Sequence, residues 1–353
     1  RTMPENNWGF LDPAAVLLPK PLKAVGYHTS MIGKWHLGLE FPCRPNDHGF
    51  DHFHGFLGDM MDDYWTHTRH DRHYMRLNEK DIRVDGHATD LFTTWAVEYI
   101  ESRANNKSPW FCYLAYNAPH FPVQPPQEWL ERVIQREQGI DPTRAKLVAF
   151  IEHLDDGIRQ VIDSLKATGQ YDNTLIIFSS DNGGHKGSVA NCGPHRGFKQ
   201  DMYEGGIAVP FCAVWKNHIE AGAKSDLVAV TSDLYPTFCE AAGATVSDSI
   251  DGVSILPTLL GQPQVIERPL VWVRREGGKA YEGRAYYAIR NGSWKLLQNN
   301  PFERYQLYNL ANDPLETKDV AKEYPKIVNE LTILLRQHIQ RAARVPWQRP
   351  VTE

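Results

Sequence analysis

Residues 110–122 read "WFCYLAYNAPHFP", an apolar run that breaks abruptly into an amide, a histidine and two prolines. A run this short, ended by a polar turn, has the pattern of a strand buried on both faces. Residues 173–184, "NTLIIFSSDNGG", repeat it. Between the two lies a helical stretch from about Thr143 to Ala167, with Gly169 as its stop. Upstream, "GHATDLFTTWAVEYIESR" (86–103) has apolar residues at helical spacing, with Thr89 or Asp90 as the expected N-cap. Downstream, "AVPFCAVW" (208–215) is a further strand and "SDLYPTFCEAAG" (232–243) a short helix closed by glycine. Strands alternating with helices predict an α/β fold with a mostly parallel central sheet sandwiched by helices.

After about Gln264 the pattern changes. "RAYYAIRNGSWKLLQ" (284–298) is two alternating runs around Asn291-Gly292, a hairpin signal, and "YQLYNL" (305–310) adds a third strand. A polar helix from about Tyr324 to Ala342 closes the chain. The expected organisation is therefore a main domain over 1–264 and a small antiparallel sheet with one helix over 265–353.

The 353 residues are 42% hydrophobic and 23% charged, ample for a large core. A formal net charge of -5 argues against a nucleic-acid surface, without excluding a local basic pocket. No apolar run is long enough to cross a bilayer. The five cysteines are odd in number and widely spaced, so they form neither a zinc cluster nor a disulfide framework. Cys112 and Cys212 sit in strand-like runs and are expected to be buried. No secretion signal opens the chain, and its compartment stays open.

Ligands of open α/β sheets collect outside the carboxyl ends of the strands. Two polar clusters fall there, Asn117 to His120 and Asp181 to His185. "GYHTSMIGKWHLG" (26–38) sets Lys34 and His36 between glycines, and "RGFKQDMYEGG" (196–206) brings Lys199. Singly, each has an ordinary explanation: a tight turn at Asp181, a solvated lysine, a hydrogen-bonded histidine. Together they are what an oxyanion site needs. Hard oxygens hold a divalent cation, lysines neutralise an oxyanion, and histidines move protons.

In these motifs the chain resembles the type I sulfatases of the alkaline-phosphatase superfamily. The segment 26–38 is similar to that family's second signature, and the motifs at 111–122, 176–184, 196–210 and 288–317 follow in the family's order. The resemblance implies hydrolysis of an aryl or carbohydrate sulfate with a formylglycine hydrate as nucleophile and Ca2+ as metal. It implies Asp181 and Asn182 as calcium ligands, and Lys34 as the bridge between sulfate and nucleophile. His36 would assist breakdown of the sulfated intermediate, while His120 and Lys199 would bind sulfate and protonate the leaving alcohol. His185 is a further substrate-binding candidate. So are Arg69 and Arg72 of "DDYWTHTRHDRHYMR" (62–76), where Trp65 or Tyr64 would stack on a sugar ring. A surface loop is the competing explanation for that segment. A formylglycine-generating enzyme is the implied partner.

Two family elements are not found: an early pair of aspartates and the C-x-P-x-R segment whose cysteine becomes formylglycine. Both belong upstream of "GYHT", so the expectation is an N-terminally truncated sulfatase sequence with the formylglycine upstream. Cys192 to Arg196 satisfies C-x-P-x-R, yet it aligns with the loop leading to Lys199 and is expected to be a coincidence. Asp62-Asp63 is a weak substitute for the aspartate pair. The alternatives are a catalytically inactive binding protein on the same fold, or a phosphate mono- or diester hydrolase of the superfamily.

Overall fold

The computed structural model describes residues 10–246, 250–275 and 285–342. The chain order is α1 (Pro19–Ala24), β1 (His28–Lys34), β2 (His52–Phe56), β3 (Thr68–Arg69), β4 (Arg72–His73), β5 (Met75–Leu77), β6 (Lys80–Asp81), α2 (Ala88–Arg103), β7 (Trp110–Ala115), α3 (Gln127–Arg136) and α4 (Pro142–Ala167). Then follow β8 (Ile176–Ser179), α5 (Glu204–Ile207), β9 (Phe211–Val214), α6 (Leu234–Ala242), α7 (Leu256–Leu259), β10 (Leu270–Arg275), β11 (Ala285–Asn291), β12 (Trp294–Gln298), β13 (Gln306–Asn309) and α8 (Pro325–Ala342). Two compact units emerge. One comprises Arg1–Ile176 with Ala213–Gln264, the other Ile177–Cys212 with Val265–Glu353.

The first unit is built on a sheet ordered β6-β5-β2-β1-β7. β1 runs parallel to both β2 and β7, whereas β5 and β6 are antiparallel. The sheet is mixed: the parallel strands β2, β1 and β7 carry an antiparallel β5–β6 hairpin on the β2 side. Successive side chains of β1 go to opposite faces. Ile32 joins Phe56, Phe92 and Phe150 in the core beneath α2 and α4, while Met31 joins Phe53 and Leu57 on the other face. On that second face Leu22 of α1 meets Cys239 of α6, and Phe111 packs on Phe238 with ring centroids 5.6 Å apart.

Three local expectations differ from the structure. The N-cap of α2 is His87, whose ring accepts the Thr89 N–H; Thr89 and Asp90 already lie inside the helix. β7 is an edge strand of its sheet and only half-buried, with Tyr113 51% exposed. Hydrophobic composition reports that a strand packs, and carries no label for edge or centre. Cys212 is exposed for the same reason, and Cys112 is half-buried.

The second unit holds the four-stranded antiparallel sheet β10-β11-β12-β13, one strand more than expected. Ile289, Leu296 and Leu307 face Leu331 and Leu335 of α8. The alternate residues Ala288, Leu297 and Tyr308 pack instead on Met202 and Tyr203. That second contact explains why 177–212 belongs with this sheet. A salt-bridged triad reinforces it: Lys295 Nζ lies 2.6 Å from Glu204 Oε1 and 2.9 Å from Glu316 Oε1, with the lysine and Glu316 fully buried.

Beside β1, His52 stacks on Tyr99 and His54 on Trp95, the latter with centroids 3.4 Å apart. Burial lowers the His52 pKa and, followed by the neighbouring His52, takes His54 down to about 3. The His54 ring is therefore neutral in the folded chain at pH 5 and above. Below an unfolded-state pKa of about 6.5 the unfolded chain takes up protons that the folded chain refuses. For His54 this means stability is expected to fall from about pH 6.5 toward the folded value near 3, by at most about 1.4 kcal/mol per pH unit. Urea midpoints between pH 7 and 5, above the carboxylate range, should flatten in His54→Asn; an unchanged slope would exclude His54 as the source.

Candidate active site

Lys34 is the last residue of β1 and His36 lies two residues on. Both are held by backbone rather than by side-chain composition. Trp35 N–H donates to the Phe56 carbonyl (2.9 Å) and His36 N–H to the Leu57 carbonyl (3.2 Å), prolonging the β1–β2 pairing past the strand end. His36 has φ 62, a left-handed conformation uncommon for a residue with a side chain. Strain of this kind concentrates at functional positions. Because β7 lies parallel beside β1, with Gly33 opposite Ala115, the Asn117–His120 turn emerges at the same carboxyl edge as Lys34.

That turn is well braced. The His120 N–H donates to the Asn117 carbonyl (2.8 Å), and the buried Tyr64 hydroxyl donates to the His120 carbonyl (3.1 Å). His120 Nδ1 lies 2.8 Å from the Phe121 carbonyl. A carbonyl only accepts, so Nδ1 carries the proton and Nε2 is the basic nitrogen. Asn117 is 6% exposed and its Oδ1 meets no hydrogen-bond partner among the described residues. A buried polar atom left over at a strand end is what a ligand-facing group looks like.

The segment 62–76 is laced to this turn through Gln124, which accepts the Tyr64 N–H and donates to Asp63, each at 2.8 Å. Asp63 also caps the Trp65 and Thr66 amides. Arg69 makes a fork to Asp59 (2.8 and 2.9 Å) and reaches Asp62 at 2.8 Å. Its guanidinium and both members of Asp62-Asp63 are therefore engaged in shaping this loop. Arg72, opposite Arg69 in the β3–β4 pair, is exposed and has no ion pair among the described residues. Asp59, Tyr64 and Gln124 brace the site without any motif to announce them, since their partners are distant in sequence.

In the second unit, Asp181 and Asn182 follow β8 and neither side chain makes a hydrogen bond or ion pair among the described residues. His185 Nδ1 lies 2.9 Å from the buried Ser188 hydroxyl. Lys199 is brought to this turn by its own backbone, its N–H donating to the Gly184 carbonyl at 2.8 Å. Glycine permits the approach. A Cβ on Gly183 would lie 1.9 Å from the Gly205 carbonyl oxygen, and one on Gly205 2.3 Å from that of Gly197. The loop behind Lys199 is pinned to the antiparallel sheet by Met202 N–H to Asn299 (2.6 Å) and Glu204 N–H to Glu316 (2.7 Å). Each unit thus gathers its share of the sequence-derived residues: Lys34, His36 and His120 in one, Asp181, Asn182, His185 and Lys199 in the other.

Arg196, the arginine of the C-x-P-x-R match, has a structural use. It donates to the Glu316 carbonyl (2.8 Å) and the Tyr308 hydroxyl (3.1 Å) and lies 4.0 Å over the Tyr203 ring. Cys192 is expected to remain an unmodified thiol. Alkylation followed by mass spectrometry of its peptide checks this, and an aldehyde mass at Cys192 would reverse it.

These features define a class. A profile of the family described as "Sulfatase" matches residues 4–244, and one described as "N-sulphoglucosamine sulphohydrolase, C-terminal" matches 193–342. The chain belongs to the sulfatase family. Among curated relatives it is 32% identical to mouse arylsulfatase J, covering 94% of this chain and 63% of that protein. It is 28% identical to human N-acetylgalactosamine-6-sulfatase, covering 98% and 72%. Of solved structures, Ps i-CgsB in complex with a neocarrahexaose superposes with a TM-score of 0.85 at 30% identity, over 94% of this chain and 75% of that one. The chain thus spans under two thirds of the length of arylsulfatase J. No described helix is long and apolar enough to cross a membrane.

Proposed function

We propose that the chain carries the oxyanion-binding and proton-transfer part of a sulfuric ester hydrolase acting on a sulfated carbohydrate or aryl sulfate. Family membership supports the reaction class, and the oligosaccharide bound to Ps i-CgsB supports a sugar substrate. The observation that carries the reading is local. The β1–β7 edge sets a lysine, two histidines and an orphaned buried amide oxygen at the carboxyl end of parallel strands.

In this reading Lys34 neutralises the sulfate oxygens, which lowers the cost of charge developing on the leaving oxygen. His120, with its proton on Nδ1, takes a proton at Nε2 and delivers it to the departing alcohol. His36 assists the release of sulfate. Asp181 and Asn182 fit Ca2+ in kind, as hard oxygen donors without hydrogen-bond or ion-pair partners among the described residues, and supply two of the roughly six to eight oxygens such an ion takes. When bound, calcium would supply positive charge that favours an oxyanion. The attacking group is assigned to a formylglycine hydrate outside residues 190–200, made by a formylglycine-generating enzyme.

The test is calorimetric titration of the chain, in calcium, with galactose 6-sulfate against galactose. We expect selective binding of the sulfate ester, weakened about tenfold or more by Lys34→Ala or His120→Ala, as for loss of a charged hydrogen bond. Equal binding of the neutral sugar, or no effect of either variant, would sink the assignment. Preference for galactose 6-phosphate would move the chain to phosphate esters.

A further inference from the structure

The first unit contains a second constellation that sulfate chemistry does not use. His87, at the N-cap of α2, Asp90 in the first turn of α2, and His153 in the middle of α4 bring one ligand atom each to within 4.8 Å of one another. His87 and His153 are buried, at 1% and 4% exposure, while the Asp90 side chain is 56% exposed and opens the group to solvent. The His87 ring is oriented as metal-binding imidazoles are. Nε2 lies 3.0 Å from the Gln124 carbonyl, which only accepts, so Nε2 carries the proton and Nδ1 the lone pair. Among the described residues Nδ1 accepts the Thr89 N–H, at a long 3.2 Å.

A purely structural His–Asp contact would leave the cluster satisfied. It is not. His153 Nε2 and Asp90 Oδ1 are 2.6 Å apart, yet His153 Nδ1 and Thr89 Oγ1, both buried, find no hydrogen-bond partner among the described residues. Thr89 Oγ1, left over beside three convergent ligand groups, is accounted for by an ion or an ion-bound water.

We propose that His87, Asp90 and His153 hold a divalent transition-metal ion of the zinc class, with water completing a tetrahedral shell, and that the ion staples α2 to α4. Two imidazoles and one carboxylate favour zinc, cobalt or nickel and disfavour calcium, which takes oxygen ligands. Donors at about 2.0–2.1 Å from a tetrahedral ion stand about 3.3 Å apart. The widest donor pair must therefore close, and the proton between His153 and Asp90 must leave as the metal enters. The site is made only of first-unit residues and is independent of the reading of Asp181 and Asn182.

Cobalt reports the site directly. Titrating Co2+ into the metal-stripped chain should give d–d absorption that saturates at one equivalent and is displaced by Zn2+. Trp65 and Trp129, with ring centroids 5.1 Å from His87 and 5.8 Å from His153, should be quenched in the same titration. Zn2+ should raise the melting temperature. Asp90→Asn, a substitution at an exposed position, and His153→Gln should each weaken cobalt binding about tenfold or more, whereas Asp181→Asn should leave it intact. The proposal is overturned by absence of saturable cobalt uptake, by uptake that Asp90→Asn and His153→Gln leave unchanged, or by uptake that Asp181→Asn abolishes.

Discussion

Replacing Lys295 with methionine is expected to cost the chain about 3–5 kcal/mol, the penalty for leaving a buried ion network with an unpaired charge. Lys295 and Glu316 are fully buried, and Glu204 joins them at 2.6 Å from the ammonium. Burial already pushes the Glu316 carboxyl up, and the lysine opposes that shift. Without the lysine, two carboxylates face each other in a dry pocket. The loss should be visible as a lower urea midpoint. Adding Glu316→Gln to the methionine variant should recover part of it, because the amide still accepts the Glu204 N–H. Amide exchange across 198–206 should quicken in the single variant, since that segment is tied down through Glu204 and Glu316. A methionine variant as stable as the parent would show that the triad contributes nothing net.

The second large effect is expected at Gly55→Ala and Gly33→Ala. A Cβ on Gly55 would lie 2.0 Å from the Gly33 carbonyl oxygen, and one on Gly33 2.1 Å from the Ala115 carbonyl oxygen. Gly33 also has φ +107, where a side chain is strained whatever the space. Either substitution forces apart the parallel ladder whose end carries Lys34, at a cost of about 3 kcal/mol or more. Gly243→Ala is the control. It has φ +67 and nothing within 4 Å of the added carbon, so only the conformational term of about 1 kcal/mol applies. Equal losses at Gly33, Gly55 and Gly243 would show that backbone freedom, and not strand contact, is what these glycines provide.

Much of this molecule was legible without coordinates. α4 begins at Pro142 under the Asp141 cap and ends at Ala167 before Gly169, as its periodicity and stop signal indicate. The β11–β12 hairpin turns at Asn291-Gly292, because turn chemistry is local. The sulfatase motifs were readable in order because each concentrates glycines and polar residues within a few positions. What proved unreadable depends on distant partners. His87 displaced the expected caps of α2, since its ring is also anchored by the carbonyl of Gln124. Arg69, a substrate-binding candidate in the sequence, also pairs with Asp59 and Asp62, partners that its local sequence did not reveal.

The sequence by itself determined the α/β class, the antiparallel C-terminal sheet, the family and the short segments on which Lys34, His120, Asp181 and Lys199 ride. All of these are written in periodicity, turn residues and local spacing. Only the tertiary structure decided that β7 is an edge strand, that 177–212 packs with the C-terminal sheet, and that Lys295, Glu204 and Glu316 share one buried pocket. It alone brought His87, Asp90 and His153 together. The physical reason is the same in each case. Strand order, burial of charge and the meeting of side chains from α2 and α4 are set by long-range packing, and one residue's local pattern is compatible with many partners.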